Sequence, residues 1–136
     1  MENKGTILYA DDELSMRKLM GIVFENYFPN HAIEVFENGT SLENRLTNGI
    51  ENVRLVLTDN QMPGITGSEI IRRYSQKEAF NGVPFVLYYA GDEAIGKSLK
   101  EEGYASAYLL KPCGMKELAD TLERVLNSSE SKESSQ

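Results

Sequence analysis

A chain of 136 residues with 40% hydrophobic and 26% charged residues has the length and makeup of one globular domain with a real core. Lysine and arginine number 14 against 21 aspartate and glutamate, and the net charge of −7 argues against nucleic acid or an anionic membrane surface as the main partner. No apolar run nears the roughly 20 residues of a membrane span. The start Met1-Glu2-Asn3-Lys4-Gly5 lacks a signal-peptide layout. The single Cys113 leaves no internal disulfide, and the single His31 argues against a histidine-based metal site, so a cytoplasmic protein is expected.

Taken in order, Ile7-Leu8-Tyr9-Ala10 is a short apolar run of strand type that ends in Asp11-Asp12-Glu13. Met16, Leu19, Met20, Val23 and Tyr27 then recur at helical spacing, with Phe24 also at core spacing, until Phe28-Pro29-Asn30 stops the helix. His31 precedes a strand and is expected to be solvated. Ala32 to Phe36 is that second strand. After the Asn38-Gly39 turn, Thr40 and Glu43 have capping-box spacing for a short helix with Leu42 and Leu46, ended by Gly49. Arg54 to Thr58 is a third strand, apolar enough to be buried on both faces.

The next residues, Asp59-Asn60-Gln61-Met62-Pro63-Gly64, are the centre of the chain: a buried strand breaks abruptly into a carboxylate and a tight turn. Thr66 and Glu69 repeat the capping-box spacing and open a helix with Ile70, Ile71 and Tyr74 inside. Pro84 to Tyr89 is the fourth strand, with proline at its permitted first position. Asp92 to Glu102 is a thinly anchored helix with Ile95 and Leu99 inside, weakened by Gly96 at roughly 1 kcal/mol against alanine. Ala107 to Leu110 is the fifth strand, followed by Lys111-Pro112. Met115, Leu118, Ala119, Leu122, Val125 and Leu126 stripe the last helix. Residues 1–127 thus form the domain, and 128–136 are polar enough to read as a disordered tail or the start of a linker.

Five strands alternating with helices predict a doubly wound parallel α/β sheet. In the order 2-1-3-4-5, the first and third strands are neighbours about 4.8 Å apart, and ligands bind at the carboxyl ends where the order reverses. Asp11, Asp12 and Asp59 would crowd there, with Lys111 across from them. Acids that close repel unless a cation sits among them, and an all-oxygen site selects Mg²⁺ or Mn²⁺. The chemistry this suits is phosphoryl transfer to a carboxylate nucleophile, Asp59.

Asp11-Asp12, Asp59 with Met62-Pro63-Gly64, Lys111-Pro112 and the aromatic Tyr108 together resemble the response-regulator receiver domain of two-component signalling, over roughly residues 5 to 127. The resemblance implies a flavodoxin-like five-stranded fold. It implies that Asp59 is the phosphoacceptor, that Asp12 is the chief metal-binding acid with Asp11 helping through water, that the Gln61 backbone carbonyl completes the metal ligands, and that Lys111 contacts the phosphoryl group. It also implies a histidine kinase or histidine phosphotransfer protein as donor. An output partner would use the Asp92–Glu102 helix, the fifth strand and the last helix. No turnover enzyme is implied beyond self-catalysed phosphotransfer and dephosphorylation.

One position departs from the family pattern. Tyr89, before Ala90, stands where the family has a small hydroxyl residue that bonds the phosphoryl group. A phenol oxygen about 6.5 Å from its own Cα cannot make that bond without moving the backbone. Tyr89 is therefore expected to fill the space into which Tyr108 would turn, which alters the switch formed by Tyr89, Ala90 and Tyr108. Two rival readings follow: a pseudo-receiver that binds partners without phosphorylation, and an aspartyl-phosphate phosphatase, against which Gln61 stands where that chemistry wants a second acid. Cys113 replaces a common phenylalanine and reads as a small buried hydrophobe.

Overall fold

The computed structural model describes residues 3–134. It alternates β1 (Thr6–Ala10), α1 (Leu14–Tyr27), β2 (Ala32–Phe36), α2 (Gly39–Thr47), β3 (Val53–Thr58), α3 (Gly67–Tyr74), β4 (Phe85–Tyr89), α4 (Glu93–Glu101), β5 (Ala107–Leu110) and α5 (Met115–Ser134), with a short 3₁₀ turn at Glu78–Phe80. All strand pairs are parallel and their order is β2-β1-β3-β4-β5, as the alternation predicts.

Because successive strand residues face opposite sides, the sheet divides its apolar residues into two cores. Ile7, Tyr9, Leu55, Leu57, Val86 and Tyr88 lie under α1 and α5, which contribute Met20, Val23, Phe24, Leu118 and Leu122. Leu8, Val56, Phe85, Leu87 and Tyr89 lie on the other face under α2, α3 and α4, against Leu42, Ile70, Ile71 and Leu99. Every residue of β1 and β4 is buried, whereas β2 is an edge strand with Val35 48% exposed. Two-sided burial explains why the central strands read as unbroken apolar runs.

Several expectations change in detail. Asn38, not Thr40, caps α2: its extended backbone brings Oδ1 within 2.8 Å of the Ser41 N–H it accepts from. Glu43 is thereby free to accept from Arg73 (2.6 Å) and the Tyr74 hydroxyl (2.7 Å) on α3. The second cap stands as expected, with Thr66 Oγ1 accepting from the Glu69 N–H. Tyr27 is 43% exposed, because the chain turns at the end of α1 and Phe28 takes the core position instead. His31 is half-buried rather than solvated, its ring edge-on to Phe28 at 5.9 Å.

The polar segment from 128 onward continues α5 as far as Ser134. No proline or glycine interrupts 115–134, and the Ser129 hydroxyl donates to the Gly82 carbonyl, tying that turn to the body. Residues 135 and 136, also part of the expected tail, lie outside the described residues.

Candidate functional site

β1 and β3 run side by side with Ala10 opposite Thr58, so the residues after them, Asp11 and Asp59, emerge together at the carboxyl end of the sheet. The Asp59 N–H donates to the Ala10 carbonyl (2.9 Å) and fixes that adjacency. Asp11 is fully buried and accepts three hydrogen bonds. Oδ1 accepts from the Glu13 N–H (3.0 Å), and Oδ2 accepts from the Tyr9 hydroxyl (3.1 Å) and from Lys111 Nζ (2.7 Å). Asp59 is also buried. Its Oδ1 accepts from the Asn60 N–H (2.8 Å), which leaves Oδ2 facing Lys111 Nζ at 3.5 Å.

Lys111 reaches this place from β5. Its N–H donates to the Tyr89 carbonyl (2.8 Å), its side chain is 8% exposed, and Nζ lies 5.6 Å from the Tyr88 ring centroid and 3.8 Å from Glu13 Oε1.

The acids whose ligand oxygens lie within 4.8 Å of one another are Asp11, Glu13 and Asp59. Asp12, expected as the chief metal-binding acid, is exposed and is not among them. Asp12 lies at a bend between Asp11 and the start of α1, and Glu13, itself exposed, brings one carboxylate oxygen to the cluster. Glu13 is the residue before α1 and has extended backbone.

Gln61, expected to offer its carbonyl, lies exposed in the loop after Asn60. That loop is held by α3: Asn60 Oδ1 accepts from the Ser68 N–H, and the Asn60 carbonyl accepts from the Gly67 N–H, each at 2.9 Å. Gly67 is required there, because a Cβ would lie 2.0 Å from the Asp59 carbonyl oxygen.

Burial and then the neighbouring Asp11 charge push the Asp59 carboxyl up to about 6, with Lys111 offsetting part of the rise. Burial alone would push the Lys111 ammonium down, but its bond to Asp11 and the charges of Asp11, Asp59 and Glu13 hold it above its ordinary value. Three carboxylates thus face one ammonium, which leaves two negative charges uncompensated when all are ionised. An all-carboxylate donor set with that deficit fits a hard divalent cation.

The remaining expected residues gather beside this cluster. Tyr89 neither reaches the acids nor points outward. It is fully buried toward α4, where its hydroxyl donates to the Asp92 carbonyl (2.6 Å) and accepts from the Gly96 N–H (2.9 Å). Ala90 follows it, exposed. Tyr108, on β5, is half-exposed against α4, and its hydroxyl donates to Glu93 Oε2 (2.8 Å). Cys113 is half-buried against the α1–α5 core, and burial pushes its thiol up.

A family model described as "Response regulator receiver domain" matches residues 7–123. The transcriptional regulatory protein ResD of Bacillus subtilis (strain 168) is 30% identical over 125 residues, 91% of this chain and 49% of that protein. The cyclic di-GMP phosphodiesterase response regulator RpfG of Xanthomonas campestris pv. campestris is 30% identical over 129 residues, 94% of this chain and 33% of that protein. This chain therefore spans about half, or less, of the length of these curated relatives. Among solved structures, response regulator protein TrrA from Thermotoga maritima, in complex with Mg²⁺ and BeF, superposes with a TM-score of 0.73 at 26% identity, covering 92% of this chain and 99% of that one. Among the described residues no helix is long and apolar enough to cross a membrane.

Proposed function

The chain belongs to the response regulator receiver domain family of two-component signalling, and from that premise we propose that Asp59 accepts a phosphoryl group from a histidine kinase or histidine phosphotransfer protein. The observation that carries this is the pairing of a buried, charge-crowded Asp59 with Lys111, whose ammonium lies 3.5 Å from the carboxylate oxygen that Asn60 leaves unbonded.

In the step, Asp59 Oδ2 supplies the electron pair that forms the new O–P bond as the P–N bond to the donor histidine breaks, leaving an acyl phosphate. Lys111, anchored on Asp11, offsets charge on the phosphoryl oxygens. The Asn60 N–H fixes Oδ1 and so aims Oδ2. Asp11, Glu13 and Asp59 would hold a Mg²⁺ or Mn²⁺ ion, which supplies the charge neutralisation that this crowded set of acids needs. The Mg²⁺ and BeF named for TrrA support that assignment. Asp12, the acid that the family resemblance implies, is exposed beside Asp11 and Glu13 and would be free to turn toward the same ion. The domain turns over no separate substrate; water hydrolyses its acyl phosphate with the same residues in place. It works in the cytoplasm, and its output passes through contacts of α4, β5 and α5 with a partner.

Incubating the protein with acetyl phosphate and Mg²⁺ and measuring intact mass tests the reading. The expected result is a gain of one phosphoryl group that Asp59→Asn abolishes. No gain in the parent protein, or an equal gain in the variant, overturns it. A partner-binding module independent of phosphorylation is the second reading, favoured by the bonding of Tyr89 to α4.

A further inference from the structure

Four of the five helices begin alike. The fourth helical N–H donates to the carbonyl of the residue before the helix: Arg17 to Glu13 (3.0 Å), Leu42 to Asn38 (3.4 Å), Ile70 to Thr66 (3.0 Å) and Leu118 to Gly114 (3.0 Å). In α4 the equivalent donor, the Gly96 N–H, goes instead to the Tyr89 hydroxyl oxygen at 2.9 Å. That hydroxyl donates onward to the Asp92 carbonyl at 2.6 Å. A side chain of β4 is thus spliced into the first turn of α4, and the Ile95 N–H tightens on the same carbonyl at 3.2 Å.

Both ends of Tyr89 are tied. Its carbonyl accepts from the Lys111 N–H, and its ring is fully buried in the core shared with Leu87 and Leu99. A second phenol closes on the same turn. The Tyr108 ring lies so close to the helix that a Cβ on Gly96 would sit 2.6 Å from its Cγ, and its hydroxyl donates to Glu93 Oε2. Moving the first turn of α4 would strip the Tyr89 hydroxyl of both its partners, and buried polar groups without partners are strongly disfavoured. α4 has few apolar anchors of its own, so these bonds decide its position.

We propose that Tyr89 is a positioning residue that locks the first turn of α4 and the Tyr108 ring in one arrangement, so that the α4–β5 surface is presented to a partner whether or not Asp59 carries phosphate. The lock rests on this geometry alone; its independence from phosphate rests on the phosphoacceptor reading. A phosphorylation-driven switch requires an element with two arrangements, and this lock would hold the α4–β5 face in one.

Amide hydrogen exchange on the full chain, resolved to single residues, tests it in three samples: the free protein, the protein treated with acetyl phosphate and Mg²⁺, and Tyr89→Phe. Intact mass reports phosphate uptake in the second. The expected result is exchange of the 93–96 amides within twofold between free and phosphorylated protein. Tyr89→Phe is expected to speed Gly96 exchange tenfold or more while the first turns of the other helices stay within twofold. A tenfold change at Gly96 on phosphorylation overturns the proposal. So does Tyr89→Phe exchange within twofold of the parent, or a loosening shared equally by all five helices. A chain that gains no phosphoryl group overturns the phosphoacceptor reading alone, and the Tyr89→Phe comparison still decides the lock.

Discussion

The rim where β1 and β3 end and the rim where β4 ends are adjacent and built on opposite plans. At the first, three carboxylates crowd around one ammonium, and the Asp59 carboxyl is driven well above its ordinary value. At the second, the buried polar atom is a neutral phenol whose hydroxyl both donates and accepts. The contrast separates a place that gains by binding something from a place that gains nothing by moving. Unfavourable charge concentrated beside satisfied structure marks where chemistry is expected.

The sharpest way to break that contrast is to remove the ammonium. Lys111→Met keeps the side-chain stem and leaves Asp11 with an uncompensated buried charge, so urea unfolding should show a loss of about 3–5 kcal/mol. Stability equal to the parent would mean the acids are not held by Lys111.

Removing one acid should act in the other direction. Asp59→Asn is expected to raise stability at pH 7 by on the order of 2 kcal/mol. The sign follows from the raised carboxyl: Asp59 holds its proton more tightly folded than unfolded, so its contribution to stability falls as pH rises from about 4 through about 6. The difference between Asp59→Asn and the parent should therefore open across that window and vanish below it. A difference independent of pH would contradict the charge-crowded rim.

Tyr9→Phe keeps the buried ring and removes one donor from the Asp11 carboxylate. A hydrogen bond to a charged group contributes about 1.5–3 kcal/mol, and the lower end is expected here because Lys111 and the Glu13 N–H remain. Saturating Mg²⁺ should recover part of that loss if the cation shares the acid cluster, which melting curves with and without Mg²⁺ would read.

The smallest effect belongs to the quiet rim. Gly96→Ala gains about 1 kcal/mol of helix propensity but drives a methyl group into Tyr108, and overpacking costs about 1–3 kcal/mol. A net loss near 1 kcal/mol, with Tyr108 more accessible to solvent quenchers, is expected. A net gain would show that Tyr108 is not seated on the helix.

The five strands, their order and the meeting of Asp11, Asp59 and Lys111 were legible because they depend on unbroken apolar runs and on the chain's alternation, which local sequence carries. What escaped depends on directions fixed by backbone angles. Asp12 and Glu13 are equal candidates as letters and both are exposed, and only the backbone path into α1 brings a Glu13 oxygen within reach of Asp11 and Asp59. Asn38 outranks Thr40 as a cap because the extended residue lies earlier than the capping-box spacing suggested. The destination of the Tyr89 hydroxyl could not be read either. A phenol's reach extends past its own strand, and its partners are backbone groups of a helix three to seven residues further on. The helical reading of 128–134 was lost to composition, because a polar run offers no stripe to signal that a helix continues.

Gly67 also bears on how firmly Asp59 is seated. Its backbone lies where not even a methyl group fits behind the Asp59 carbonyl, while the Ala10 carbonyl grips the Asp59 N–H from the other side. The peptide that carries Asp59 is thus braced from both sides. Under the proposed phosphoacceptor role, strain at that carboxylate would fall on the loops at the solvent mouth and not on the sheet behind it.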